Sequence, residues 1–333
     1  MKGANFMNPY IGHDSQYYGV EEHRLTGGKG DGMRLLEVNN GKGLELVISL
    51  DRAADISRLK FRGINMSYFS PCGYVAPAYY EGTENGWLKS FTAGFLTTCG
   101  LEAVGTPCTD QGERLPLHGT IGNLPAEQSY WTKEGDSLVV RALVSDEGIF
   151  ARKWKLHREI RVSLTKNEFV ITDTLENAGS KTEPMEILYH MNMGYPLLDE
   201  DSIVTIPAER VIPRNEHAAA DIENWMKMEK PQADYEERCY YHDFTKSDRT
   251  EPAMASIFQP KLGCGLKIEY DANELDCFTQ WKMMGVRDYA LGLECGNCYP
   301  DGRDVMRQKG LLKFLGPGEK QVYQVKVSML DTL

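Results

Sequence analysis

Four short stretches of the chain carry side chains that can move protons. His118 lies in the segment LHGTIGN, and His190 lies in MEILYHMNMG. Asp243 follows two tyrosines in YYHDF, and Glu294 ends an apolar run in YALGLECGNCYPDG. A carboxylate is ionised near neutral pH and can accept a proton, whereas an imidazole titrates close enough to neutrality to donate one. Brought together, such residues could perform general acid–base catalysis.

Each of these residues alone also has a structural explanation. His118 could bond a carbonyl within a loop, and His190 could be satisfied within a sheet. Asp243 could cap a turn, and Glu294 could pair with an arginine. Since alternate residues of a strand share a face, Asn192 should point to the same side as His190, and two buried polar groups need partners or a ligand.

The elements that must position these residues are strands, because alternating apolar and polar residues dominate the chain. The stretches with this pattern are 43–51, 137–145, 155–165, 168–177, 185–194, 202–208 and 321–330. Two of them, 155–165 and 168–177, predict a hairpin, and the best helical stretch is the short segment 221–228. The sequence therefore predicts an all-β, mostly antiparallel fold with few short helices. We expect one domain over residues 1–333, with residues 1–40 as an N-terminal extension packed on it.

The segment between residues 70 and 114 has a different composition. It is rich in glycine, proline and aromatic residues and shows little strand pattern. A long loop region inside a compact domain is usually functional when it is ordered. This segment is therefore a candidate for part of a binding site.

The order of these motifs resembles that of the aldose 1-epimerase (galactose mutarotase-like) superfamily, and most closely its divergent bacterial branch of unknown specificity. LHGTIGN is similar to that family's LHGG segment, and EILYHMNMG is similar to the strand that ends in its histidine motif. YHDF is similar to the segment that supplies a substrate-binding aspartate, and GLECGNCYPDG to the strand that carries the catalytic glutamate. The resemblance implies a β-sandwich of the supersandwich type, which agrees with the strand pattern.

The resemblance also implies a role for each matched residue. Glu294 would be the base that removes the proton of the anomeric hydroxyl, and His190 would be the acid that protonates the ring oxygen. His118 would lie near the ring oxygen, and Asp243 would hold sugar hydroxyls. Ring opening, rotation about the C1–C2 bond and closure on the other face would exchange the two anomers. This reaction requires no metal and no cofactor.

Some positions depart from the family pattern, and they leave the identity of the sugar undecided. Thr120 replaces the second glycine of LHGG, and Cys295 replaces the proline that follows the glutamate. An arginine that usually precedes LHGG is missing between residues 65 and 110. Arg52 could supply its charge, or it could be a structural partner of Asp55 or Glu102.

Sugar sites usually combine an aromatic surface for the C–H face of a pyranose with polar side chains for its hydroxyl groups. Trp87 and Trp281 are the aromatic candidates, and each could equally be packed in the core. Lys282 would suit a sugar that carries a carboxylate, sulfonate or phosphate. The predicted substrate-binding set is completed by Asp243, Arg52, Asn192 and Glu102.

The composition restricts the partners. A net charge of −11 and the absence of basic runs argue against a nucleic acid or an anionic membrane. No apolar stretch reaches the length of a signal peptide or a membrane span, which predicts a cytoplasmic protein. The eight cysteines fit a reducing compartment as free thiols, and the lone CxxC at Cys295 and Cys298 does not predict a zinc site. We expect a small sugar as the partner, with a homodimer as an open possibility.

Two alternatives to anomer exchange stay open. The same groups could serve an isomerase, epimerase or lyase acting on an acidic or keto sugar, because they can also remove a proton beside a carbonyl. A metal-assisted version would use His118, His190 and a carboxylate such as Glu102 or Glu294. The other alternative is a non-catalytic sugar-binding protein, since a fold does not fix a function.

Overall fold

The computed structural model describes residues 9–244 and 250–332. Its strands, in chain order, are β1 (Gly19–Arg24), β2 (Arg34–Asn39), β3 (Leu44–Ser49), β4 (Asp55–Phe61), β5 (Ile64–Asn65), β6 (Tyr68–Phe69), β7 (Ala93–Gly94), β8 (Leu96–Leu101), β9 (Cys108–Asp110), β10 (Glu113–Leu115), β11 (Gln128–Glu134), β12 (Ser137–Glu147), β13 (Lys153–Ser163), β14 (Glu168–Asn177), β15 (Glu183–Pro184), β16 (Glu186–Met193), β17 (Ile203–Thr205), β18 (Arg210–Pro213), β19 (Arg238–Asp243), β20 (Ala253–Gln259), β21 (Cys264–Tyr270), β22 (Cys277–Met284), β23 (Tyr289–Gly296), β24 (Phe314–Leu315) and β25 (Lys320–Leu330). The described α-helices are short: α1 (Glu216–Ala219) and α2 (Arg303–Gln308). Single 3-10 turns lie at Asp14–Gln16, Gly28–Gly30, Pro77–Tyr79, Gly86–Ser90, Ile121–Asn123 and Ile222–Asn224.

Most of these strands belong to three large sheets. The first has five strands in the order β1-β2-β3-β4-β5, and the second has eight in the order β11-β12-β13-β14-β25-β21-β20-β17. The third has six strands in the order β18-β19-β22-β23-β16-β8. The pairs β6-β7, β9-β10 and β15-β24 form small two-stranded sheets.

The six-stranded sheet is covered on both faces. Because side chains alternate along a strand, Tyr189 of β16 faces the large core that the three sheets share. Leu188 points the other way, into a second hydrophobic cluster with Trp87 and Phe91. Every residue of β16 is buried as a consequence. His190 shares the face of Leu188, so it lies beneath the loop-rich segment rather than in the shared core.

The all-β, mostly antiparallel fold predicted from the sequence is confirmed, and the predicted hairpin is the pair β13 and β14. The helix predicted over residues 221–228 is wrong in extent, because only a 3-10 turn forms at Ile222–Asn224. Pro231 follows closely, and so short a segment offers few hydrogen bonds to offset helix nucleation. No helix of the described ranges is both long and apolar enough to cross a membrane.

The strands β1 and β2, from the predicted N-terminal extension, are part of the five-stranded sheet. Residues 1–8 of that extension lie outside the described residues. The division into one domain with an extension stays a prediction.

Candidate active site

The register of the six-stranded sheet brings polar side chains into one row. His190 on β16 lies directly opposite Glu294 on β23, and Glu294 lies opposite Thr279 on β22. Opposite residues of antiparallel strands point to the same face, with Cβ atoms about 4.5–5.5 Å apart. The row continues to Thr97 on β8 and to Tyr241 on β19. Residues that are far apart in the sequence are thus neighbours, and all five are buried.

Three members of this row, His190, Glu294 and Thr279, line a cavity of about 660 Å³. This volume lies in the usual range of small-molecule sites. Another wall comes from the loop-rich segment, which contributes Trp87 and Phe91. Their rings are stacked with centroids 4.4 Å apart, and they give this wall a flat apolar surface.

His118 enters the cavity from the loop between β10 and the turn at Ile121–Asn123. Its φ of 56° is in the left-handed region, which few residues other than glycine adopt. Backbone hydrogen bonds hold this conformation, since the His118 N–H donates to the Gly105 carbonyl and the Gly100 N–H donates to the His118 carbonyl, both at 3.0 Å. The ring centroid of His118 lies 4.6 Å from that of Trp87 and 5.8 Å from that of His190.

His190 and Glu294 form the closest pair of titratable groups in this cavity. Nε2 of His190 lies 3.3 Å from Oε1 of Glu294, and the two side chains are almost fully buried. The carboxyl group folds back over Gly292, two residues earlier on the same face of β23. A Cβ at Gly292 would overlap Oε1 of Glu294 and lie 2.9 Å from the Cβ of Trp281. The missing side chain of Gly292 therefore gives the carboxyl group its space.

Several polar atoms along the cavity have no hydrogen-bond partner among residues 9–244 and 250–332. They are Nδ1 of His118, Nδ1 of His190, Oε1 of Glu294 and Oγ1 of Thr279. Buried polar groups are nearly always paired in folded proteins, so each exception needs an explanation. Four such atoms belong to residues that line one cavity.

Burial controls the protonation of the central pair. It lowers the pKa of His190 to about 4 and raises the pKa of Glu294 well above its usual value, although the Arg214 charge opposes the rise. Burial also lowers the pKa of His118 well below its usual value. Burial therefore favours the uncharged form of each member of the pair. The sequence-based expectation of an ordinary pKa for Glu294 is wrong, because that expectation ignored the desolvation of the carboxylate.

The charged residues of the cavity wall were missed by the sequence analysis. Arg214 follows β18 and lines the cavity, with Nη2 bonded to Oγ1 of Thr106 and Nε 3.5 Å from Asp301. Glu237 and Asp288 also line it. Nothing in the local sequence marks these residues, since they lie next to strand ends whose order in the sheet cannot be read from the chain.

The sequence contained a pattern that could have identified Thr279 and Gly292 as neighbours of the site. Thr279 precedes Trp281 by two residues, and Gly292 precedes Glu294 by two residues, so alternation places each pair on one face. Trp281 itself lines the cavity, with Nε1 donating to Oε2 of Glu237 at 2.6 Å. Both predicted aromatic residues, Trp87 and Trp281, thus border the cavity.

Lys282 does not line the cavity. It follows Trp281 on β22, so the two side chains point to opposite faces of the sheet. Nζ of Lys282 lies 2.9 Å from a carboxylate oxygen of Glu229 and 3.2 Å from the carbonyl of Asn224. Lys282 thus lies outside this cavity, and its contact with an acidic sugar stays a prediction.

Arg52 and Glu102 have structural partners outside the cavity. Arg52 donates to three backbone carbonyls of the surrounding loops, at 2.7–3.0 Å, and so ties these loops together. Glu102 accepts a hydrogen bond of 2.9 Å from the Thr120 hydroxyl, and burial raises its pKa to about 8. Neither residue lines the cavity, and their contact with a sugar stays a prediction.

Asp243 and Asn192 are also absent from the cavity wall. Asp243 ends β19, where Arg210 donates to its Oδ2 at 3.0 Å. Asn192 shares the face of His190, as the alternation predicted, and its Nδ2 donates to the His190 carbonyl at 3.0 Å. The sugar contacts expected for Asp243 and Asn192 stay predictions, since neither residue lines the cavity.

The metal-assisted alternative needs several ligands in one place. Within the two described ranges, no group of three or more His, Cys, Asp or Glu side chains is arranged to hold a metal ion. Glu102, one of the proposed ligands, lies outside the cavity that His118 and His190 border.

The sequence profile of the family described as Domain of unknown function (DUF4432) matches residues 30–329. Among solved structures, a protein of Klebsiella pneumoniae that is provisionally named an aldose 1-epimerase is 25% identical, with a TM-score of 0.89 over 96% of this chain and 86% of that chain. Comparison with curated proteins finds no match.

Two more distant structures show the same fold. The galactose 1-epimerase of Lactobacillus acidophilus has a TM-score of 0.62 at 13% identity, covering 95% of this chain and all of that one. A galactose mutarotase-like protein of Clostridium acetobutylicum has a TM-score of 0.69 at 13% identity, covering 94% of this chain and 99% of that one. The fold is therefore galactose mutarotase-like, as the sequence resemblance implied.

Proposed function

This chain belongs to the family described as Domain of unknown function (DUF4432), and we propose that it is an enzyme that interconverts the anomers of a sugar, as an aldose 1-epimerase does. The similarity to the Klebsiella pneumoniae protein and to the galactose mutarotase-like fold supports a carbohydrate-related function. The observation that carries the specific reaction is the 3.3 Å contact between Nε2 of His190 and Oε1 of Glu294 inside a sugar-sized cavity.

Anomer exchange needs two proton transfers at oxygens bonded to the same carbon. As the ring opens, the O1–H bond breaks and its proton passes to Glu294, while the O1 electrons form the C1=O1 carbonyl. The C1–O5 bond breaks, and O5 takes a proton from His190. Rotation about C1–C2 and the reverse steps give the other anomer. Two adjacent protonable groups match this demand, because O1 and O5 are themselves neighbours.

For this cycle, His190 and Glu294 together must carry a single proton. In the uncharged state the proton lies on Glu294, and its transfer across the 3.3 Å contact gives the carboxylate and imidazolium that start the reaction. The charge of Arg214, which favours the ionised form of Glu294, assists this transfer. His118 lines the cavity and has an unpaired Nδ1, so it can hold a sugar oxygen beside the pair.

The wall charges favour an uncharged sugar over an acidic one. Glu237 and Asp288 would repel a carboxylate or phosphate on the ligand, and Lys282, the residue expected to attract it, is paired with Glu229. The cation on the wall, Arg214, already lies beside Asp301. These contacts make the acidic-sugar alternative the weaker candidate.

The test is anomer-resolved NMR exchange on a panel of D-galactose, D-glucose and D-galacturonate. We expect the protein to accelerate exchange of a neutral sugar above the buffer rate and to act more slowly on D-galacturonate. Glu294→Gln and His190→Asn should each lower the rate by about 10²- to 10⁴-fold. Glu22→Gln, the same substitution on the exposed strand β1, serves as the matched control and should keep the rate.

Each alternative gives a different result in the same experiment. A new sugar product would indicate an isomerase, epimerase or lyase. Sugar binding that persists in Glu294→Gln, with no exchange in either protein, would indicate a binding module. Exchange at the buffer rate for every sugar would contradict the proposal.

A further inference from the structure

We propose that Thr279 is a further catalytic residue, whose hydroxyl donates a hydrogen bond to O1 of the sugar as that oxygen loses its proton. The inference rests on the proposed function and assigns a hydrogen-bond donor to O1 of the sugar. It is carried by the position of Thr279 and by its unpaired hydroxyl group.

The position follows from the strand register. Thr279 lies directly opposite Glu294 and two residues before Trp281, so its side chain shares their face of the sheet. The side chain lines the cavity and is 1% exposed. Thr279 and Glu294 therefore border the same cavity from adjacent strands.

The hydroxyl of Thr279 has no hydrogen-bond partner in the described part of the chain. Two other buried threonines of the same sheet are paired: Thr97 donates to the Ala93 carbonyl at 2.8 Å, and Thr98 donates to Asp55 at 2.6 Å. An unpaired buried hydroxyl destabilises a protein, and a valine of nearly the same shape would avoid that cost. The unpaired hydroxyl of Thr279 is what a ligand-binding role requires.

The chemistry of O1 requires a donor at this place. The O1–H group donates to the carboxylate of Glu294, which leaves the lone pairs of O1 without a partner. As the proton leaves, negative charge develops on O1, and a hydrogen bond from Thr279 becomes stronger. A donor aimed at developing charge lowers the barrier of the chemical step more than it tightens substrate binding.

The first measurement compares Thr279→Val with Thr279→Ser in the exchange assay with D-galactose, or with the panel sugar that exchanges fastest. Loss of the hydroxyl in Thr279→Val should lower kcat by about 10-fold or more with a smaller change in KM. Thr279→Ser retains the donor and should recover most of kcat. The melting temperature of Thr279→Val should equal or exceed that of the wild type, whereas Thr98→Val, which removes a paired hydroxyl, should melt lower.

The second measurement follows binding rather than turnover. NMR titrations compare the sugar with its 1,5-anhydro analogue, which lacks O1. The wild type should prefer the sugar, and Thr279→Val should lose most of that preference. An active wild type whose Thr279→Val variant keeps both kcat and the preference would overturn the role of Thr279 alone. An inactive wild type would overturn the proposed function together with this role.

Discussion

Tyr189 and His190 are consecutive residues of one strand, yet their surroundings differ completely. The Tyr189 hydroxyl joins a network in the shared core, in which Asp173 accepts from it at 2.9 Å and from Arg158 at 2.7–2.9 Å. Arg158 also donates to Asp55 at 2.6 Å. On the other face, His190 and its neighbours keep polar atoms without partners.

The difference separates two reasons for burying polar groups. On the core face, the charged groups of this network are paired with one another, so the network can hold the sheets together without a ligand. In the cavity face, unpaired atoms lower stability and are left free to meet a substrate. The same strand therefore serves structure on one side and chemistry on the other.

The sharpest test of this comparison removes one carboxylate from each face. Asp173→Asn should lower the free energy of unfolding by about 3–5 kcal/mol, because it breaks a buried ion pair and leaves Arg158 with a single partner carboxylate. Glu294→Gln should change that free energy by less than about 1 kcal/mol, because burial already favours the uncharged form of the carboxyl group. Urea denaturation at neutral pH measures both, and equal losses would contradict the division into two faces.

Features of this site that depend on neighbours in the sequence could be predicted from the chain. Features that depend on distant residues could not. The strands and the shared face of His190 and Asn192 follow from alternation along one strand, which is local. The alternation also could have shown that Trp281 and Lys282 point apart. The order of strands in the sheet is a long-range property, so neither Arg214 on the cavity wall nor the raised pKa of Glu294 could be read from the chain.

A second prediction concerns the space around Glu294. Gly292→Ala places a methyl group where Oε1 of Glu294 lies, so the carboxyl group must turn away from His190. We expect kcat of the exchange reaction to fall by about 10- to 100-fold, since small displacements of catalytic groups have effects of this size. Sugar binding should change less, because the wall residues stay in place.

The matched control for Gly292→Ala is Gly19→Ala on β1. There the new methyl group would meet its nearest neighbour at 3.6 Å, an ordinary contact. Gly19→Ala should keep wild-type kcat. A Gly292→Ala variant that is folded, binds sugar and retains kcat would show that the orientation of Glu294 does not limit the reaction.

The smallest expected effect concerns the dependence of the exchange rate on pH. The rate should show no change near the pKa of an exposed histidine. An exposed histidine acid would lose its proton near pH 6.5, and the rate would fall as pH rises through that value. Burial lowers the pKa of His190 to about 4 and raises that of Glu294, so the pair keeps one proton across this range. The value of kcat/KM should therefore stay flat through about pH 6.5 and fall only near about pH 4, where a second proton binds.

Protein stability must be measured at each pH together with the exchange rate, because the lowered histidine pKa values also make folding depend on pH. His190 and His242 have lowered pKa values of about 4 in the fold, so below about pH 6.5 the unfolded chain binds more protons than the folded one. Their contribution to stability is complete above about pH 6.5 and is lost as the pH falls towards 4. Initial rates corrected for the buffer reaction, with circular dichroism at each pH, separate the two effects. An inflection of kcat/KM near pH 6.5 in folded protein would mean that the acid of the reaction is a solvated group, and the buried pair would lose its role.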